Sequence, residues 1–239
     1  NQNKFQSLEL LHYENADIKG LNARRSLFNH LDVIRIHSCT TNFVKSFLES
    51  IQTVNYSIDT IVFKDIKFDS ETANKFAECL QSSTFFTSLR SLAFINCQCT
   101  GMSFSDFSIK CVKSGSQFEN FTLDNCFIDI NDILMEMAKS ETPIRHISLR
   151  KNSSFSIIGH DDAILNPSVI SLDVGDSEWT EEAFISFISA VCRKHRRLPL
   201  SLSIDSSRID ASWCEIFERL PSESFLPVLT ELNISCNYL

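Results

Sequence analysis

The stretch Leu229-Thr230-Glu231-Leu232-Asn233-Ile234-Ser235-Cys236-Asn237 sets apolar residues at its first, fourth and sixth positions and an asparagine at its ninth. Leu232-Asn233-Ile234 reads as a short strand, with Leu232 and Ile234 facing one side and Asn233 the other. Working back along the chain, the same unit recurs at Leu8-Glu9-Leu10, Ile34-Arg35-Ile36, Ile61-Val62-Phe63, Leu92-Ala93-Phe94, Phe121-Thr122-Leu123, Ile147-Ser148-Leu149, Leu172-Asp173-Val174 and Leu202-Ser203-Ile204. The first residues of these nine copies lie 25 to 31 positions apart, with a mean of 28. Most copies carry a further apolar residue three positions earlier: Phe5, Leu31, Ile58, Leu89, Phe118, Ile144, Val169 and Leu229. A period of this length marks stacked supersecondary units, so the repeat decides the architecture before any single element does.

Five residues after the first strand position the chain has Cys39, Cys97, Cys126, Asn152 and Asn237, with Ser177, Ser207, Ile66 and Tyr13 in the remaining copies. A small polar side chain there bonds the backbone groups that a turn out of the strand leaves unpaired. Asparagine does this best, and Cys and Ser are compact substitutes with fewer or weaker bonds. These cysteines therefore have a structural explanation. None of the nine Cys forms a C-x-x-C pair, which argues against zinc and for reduced thiols.

Between the strands the apolar period becomes helical. Thr180 is the expected N-cap of a helix with Glu181 and Glu182 in its first turn and an apolar stripe at Phe184, Phe187, Ile188, Val191 and Cys192. Similar stripes are Phe43, Phe47, Leu48 and Ile51; Phe76, Cys79 and Leu80; Ile133, Leu134, Met137 and Ala138; and Trp213, Ile216, Phe217 and Leu220. After Asn152 only Asp161-Asp162-Ala163-Ile164-Leu165 precedes Pro167, so a short helical turn or an irregular loop is expected there. The 20 Phe recur at inward positions and read as core filler.

Composition narrows the function. With 5 Gly and no G-x-G-x-x-G or G-x-x-x-x-G-K-[ST], the usual phosphate cradles are missing. A net charge of −8 disfavours nucleic-acid binding. The longest apolar stretch, from Phe184 to Cys192, is about half the roughly 20 residues that a membrane-spanning helix needs. Sequons at Asn55, Asn120, Asn152 and Asn233 match the roughly three that chance produces at this Asn, Ser and Thr content, so they do not indicate secretion. The amino-terminal residues lack a starting Met and a signal-peptide core, which suggests a fragment of a longer chain.

The repeat resembles the ribonuclease-inhibitor-like class of leucine-rich repeats. That resemblance implies an α/β horseshoe solenoid of about nine repeats in one domain, residues 1–239, with parallel strands on the concave face and helices on the convex face. The segments from Leu200 to Ile209 and from Leu229 to Leu239 also look like the CARMIL family of actin capping-protein regulators, although many copies lack that family's glycine at the helix start. The CARMIL resemblance implies a membrane-binding domain before the repeats and a disordered capping-protein-binding segment after them. It further implies a cytoskeletal partner and a cytoplasmic place at the membrane cortex. A substrate-recognition module of a ubiquitin ligase is the alternative.

On such a scaffold, strand residues alternating with the buried ones line the exposed face. The expected partner-binding set is Arg35, His37, Lys64, Ile95, Asp124, His146, Arg150, Asp173, Asp205 and Glu231. Basic Arg35, His37 and Lys64 come early in the chain, acidic Asp173, Asp205 and Glu231 late, with apolar Val62, Ala93 and Ile95 between. A broad face with segregated charge suits a protein partner. Reversing Asp173, Asp205 and Glu231 is expected to weaken that binding without lowering thermal stability. The run Arg193-Lys194-His195-Arg196-Arg197 suits either a helix carboxyl end or docking on an anionic surface. No catalytic residue, cofactor or metal ligand is expected. Gly159-His160-Asp161-Asp162 reads as helix capping, because neighbouring loop residues do not converge on a substrate.

Overall fold

The computed structural model describes residues 6–11, 31–52, 57–114, 117–140, 142–159, 164–166, 168–191, 200–214 and 229–238. The chain is a mixed α/β protein that divides into two compact units, Asn1–Asn120 and Phe121–Leu239. In the first, strands β1 (Gln6–Leu11), β2 (Leu31–His37), β3 (Thr60–Lys64) and β5 (Ser91–Ile95) are parallel neighbours in that order. A small parallel pair, β4 (Lys67–Asp69) with β6 (Gln98–Thr100), follows the turns after β3 and β5. The second unit orders β7 (Asn120–Asp124), β8 (His146–Ser148), β10 (Ser171–Asp173), β12 (Leu200–Ser203) and β13 (Leu229–Asn233), with a small parallel pair β9 (Ser153–Ser154) and β11 (Glu178–Trp179).

Alternation decides which strand residues go inward. Ile34, Ile36, Ile61, Phe63, Leu92, Phe94, Phe121, Leu123, Ile147, Leu172 and Leu202 are buried, while the residues between them are half-buried or exposed.

Five α-helices are formed among the described residues: α1 (Thr41–Ile51), α2 (Ser70–Ser82), α3 (Phe104–Lys113), α4 (Ile130–Ala138) and α5 (Glu181–Val191). Each starts where a side chain accepts one of the helix's first amides: Thr40 from Phe43, Asp69 from Thr72, Ser103 from Asp106, Asp129 from Asp132 and Thr180 from Ala183. The helices bury the expected stripes, including Phe43, Phe47, Leu48 and Ile51 in α1 and Phe184, Phe187, Ile188 and Val191 in α5. In the first unit strands and helices share one aromatic core. Phe63 and Phe94 stack at 5.4 Å, Phe76 of α2 meets Phe63 at 5.3 Å, and Phe107 of α3 meets Phe94 at 5.2 Å.

Four findings go beyond the sequence reading. Helix α3 has its own buried stripe at Phe104, Phe107 and Cys111. The short strands β4, β6, β9 and β11 are too brief to show a period. Trp213 lies in a 3-10 turn, Ala211–Cys214, and the rest of its expected stripe falls outside the described residues. After Asn152 residues 155–159 form no helix, while 160–163, which hold His160, Asp161 and Asp162, are outside the described residues.

Candidate functional site

The site is built on turns that repeat at the ladder position identified in the sequence. In the second unit, Asn152 Oδ1 accepts from the Cys126 amide at 2.9 Å, and Asn152 Nδ2 donates to the carbonyls of Leu123 at 2.6 Å, Leu149 at 2.8 Å and Arg150 at 3.1 Å. Ser177 Oγ accepts from the Asn152 amide at 3.3 Å, and Ser207 Oγ accepts from the Ser177 amide at 3.3 Å. Asn237 Oδ1 completes the column by accepting from the Ser207 amide at 2.8 Å. Each ladder side chain thus satisfies the turn of a neighbouring repeat as well as its own. In the first unit, Cys97 Sγ lies 3.4 Å from the Ile95 carbonyl and 3.5 Å from that of Phe63.

Burial pushes the Cys97 thiol up to about 12 and raises the Cys79, Cys99 and Cys111 thiols as well, so these are protonated packing groups and not activated nucleophiles. Among the described residues no group of three or more His, Cys, Asp and Glu could hold a metal ion, and no helix is long and apolar enough to cross a membrane.

The residue before each ladder position adopts the left-handed conformation: Ser38, Asp65, Asn96, Asn125, Lys151, Asp176, Ser206 and Cys236 all have φ between 51 and 59°. Four of the eight are Asn or Asp, the types that tolerate this conformation best. The Asn and Asp beside the ladder residues are the sequence signal of that turn.

In the first unit, strand register lines up Arg35, Val62 and Ala93 in one row and His37, Lys64 and Ile95 in the next. Lys64 is exposed, and Arg35, Val62, Ala93 and Ile95 are half-exposed. Among the described side chains no carboxylate forms an ion pair with Arg35 or Lys64, and strand register sets Glu9 of β1 next to Arg35. Among the described residues His37 Nε2 is shielded from solvent and has no hydrogen-bond partner.

The second unit's face is organised differently, around Arg150. Its Nη1 donates to Asp173 Oδ1 at 2.9 Å and to Asp205 Oδ1 at 2.8 Å, and its Nη2 donates to Asp205 Oδ2 at 3.0 Å. Gly175 makes room for this: a Cβ there would stand 2.3 Å from Asp205 Oδ1 and 2.6 Å from Arg150 Nη1. Ser203 Oγ supports Asp205 at 2.8 Å, and Asp124 Oδ1 accepts from Ser148 Oγ at 2.6 Å and the Arg150 amide at 3.1 Å. Glu231 is exposed and accepts from Ser201 Oγ at 2.8 Å, and His146 is exposed.

The segregated charge read from the sequence is thereby changed. Asp173 and Asp205 are not a free acidic patch, because one guanidinium engages both. Reversing them would leave Arg150 beside two new cations, so a loss of thermal stability is expected for these two residues. The basic run from Arg193 to Arg197 lies outside the described residues.

The Arg150 hydrogen bond holds the Asp205 carboxyl down at about 2, against an ordinary 3.8, with burial opposing. A folded value below the unfolded one means stability that is present above the unfolded value and lost as pH falls through the folded one. Asp124 runs the other way: burial raises its pKa despite the Ser148 and Arg150 hydrogen bonds, so its ionised form costs stability that protonation restores. Arg150→Gln is expected to flatten the loss of stability between about pH 4 and pH 2, measured by urea unfolding at each pH. An acid limb identical to the parent's would show that the Arg150–Asp205 pair carries none of it.

No protein-family model matches this chain, and no curated protein matches it in sequence. The functional reading therefore rests on the geometry.

Proposed function

We propose that the chain is a leucine-rich-repeat array that recognises a protein partner through its exposed strand face and performs no chemistry of its own. One observation carries this reading: strand register sets two cations, Arg35 and Lys64, neither in an ion pair among the described side chains, beside apolar Val62, Ala93 and Ile95, with Glu9 of β1 next to Arg35. An open face of that composition fits an acidic segment with apolar side chains, since charge steers the encounter and apolar burial holds the complex. The hydrogen-bonded ladder supports the repeat reading, because stacked units satisfy one another's turns in this way. In the second unit the internally paired Arg150, Asp173 and Asp205 offer a pre-ordered polar surface with Asp124, His146 and Glu231, suited to hydrogen bonding more than to charge steering.

The test is affinity purification of the full-length protein from its own cells, with Arg35→Glu/Lys64→Glu as the control bait. At least one partner is expected to be lost from the control, with affinity for the purified partner at least about tenfold weaker and a shallower salt dependence. Melting should change little, because neither side chain is buried or forms an ion pair among the described side chains. Equal recovery of every partner by the two baits would reject the strand face as the site.

A further inference from the structure

Among the described residues four large apolar or aromatic side chains are exposed: Phe127 at 72%, Phe155 at 61%, Ile157 at 65% and Tyr238 at 69%. Phe155 and Ile157 alternate with half-buried Ser156 and buried Ile158, so they share the outer side of one segment.

That segment occupies the place where other repeats have a helix, and it is held in position. The Asp129 carboxylate accepts the amides of Phe155 at 2.8 Å and Ser156 at 3.0 Å. Asn131 Nδ2 donates to the Ser156 carbonyl at 2.7 Å and to the Ala183 carbonyl at 3.2 Å, and Ser186 Oγ accepts from the Ile158 amide at 3.1 Å. The segment is thus tied to the first turn of α4 on one side and to α5 on the other. A backbone fixed in this way presents its two apolar side chains without further ordering cost on binding.

Exposed carboxylates stand on the elements that hold the segment, while Lys151, two residues before Ser153, pairs with Asp176 at 3.6 Å. Asp132 stands in the first turn of α4, Glu178 pairs in register with Ser153, and Glu182 lies one turn before Ser186 on α5; all three are exposed. Among the described residues none of them pairs with a cation. We propose that Phe155 and Ile157 form a ledge, rimmed by Asp132, Glu178 and Glu182, that docks an apolar segment of a partner protein carrying Lys or Arg side chains. This surface lies off the strand face and does not depend on that face's function. The carboxylate rim selects a cationic segment over an anionic one, since like charges placed together oppose binding.

The test uses the full chain and a short labelled synthetic peptide in which leucine alternates with lysine, alongside its counterpart with glutamate for lysine. Binding is followed by fluorescence anisotropy. The lysine peptide is expected to bind and the glutamate peptide not. Phe155→Ser/Ile157→Ser should weaken the lysine peptide by at least about tenfold at unchanged melting temperature, because both side chains are exposed. Glu178→Gln/Glu182→Gln, which leaves the ledge intact, should weaken it less and make binding less sensitive to salt. Equal binding of the two peptides, no binding of the lysine peptide, or unchanged affinity in the serine variant would overturn the proposal. So would a dimer of the chain, or sedimentation with phosphatidylcholine vesicles, that the serine variant abolishes; these outcomes would assign the ledge to a second copy or to a lipid surface.

Discussion

Asn152→Leu is expected to lower folding stability by about 4 kcal/mol, because the substitution keeps the shape of the side chain and removes its bonds. Asn152 is 4% exposed and joins two turns at once. Its amide nitrogen serves the carbonyls of Leu123, Leu149 and Arg150, and its oxygen serves the Cys126 amide. An apolar replacement takes these bonds from the Leu123 and Leu149 carbonyls and the Cys126 amide, at about 1–3 kcal/mol each before relaxation, while the Arg150 carbonyl keeps the Asn125 amide at 2.8 Å. The estimate lies in the lower part of the summed range because the turn can open to admit water at part of that cost. Cys126→Ala is the comparison: its thiol lies 3.3 Å from the Asp124 carbonyl, a weak bond, so about 1 kcal/mol is expected. Urea unfolding of the two variants measures the difference. Equal losses would show that Asn and Cys fill this position only by size.

Phe94→Ala is expected to cost a similar amount, about 4 kcal/mol, by a different route. Phe94 is fully buried, and its ring lies 5.4 Å from Phe63, 5.8 Å from Phe68, 5.9 Å from Phe76, 5.5 Å from Phe104 and 5.2 Å from Phe107. These five rings come from two strands and two helices, so no single element can move to close the cavity. Phe94→Leu refills most of the volume, and a loss of about 1–2 kcal/mol is expected for it. If both variants lose the same amount, edge-to-face ring geometry matters more here than filled volume.

The strand face was legible because it depends on a local rule. A period of two sends Ile34 and Ile36 inward and leaves Arg35 between them, whatever the next repeat contains. Helices α1, α2, α4 and α5 were legible for the same reason, and the ladder position because its chemistry favours a small polar side chain. The paired strands β9 and β11 were not, since each is two residues long and shows no period. Nor was the ledge: Phe155 and Ile157 read as any apolar alternation does. Their exposure follows from the neighbouring hydrogen bonds to Asp129, Asn131 and Ser186, which settle which side of the segment faces the protein.

Arg150 marks the boundary between the two kinds of information. The sequence alone places it outward on its turn, by counting from Ile147 and Leu149. Only the tertiary structure joins it to Asp173 and to Asp205, which lies 55 residues further on, across strands whose lateral register brings the three together over Gly175. Inward or outward orientation is set by backbone geometry within a few residues, so it can be read along the chain. The balance of charge on a surface is set by distances between side chains from different repeats, and those exist only once the strands have paired.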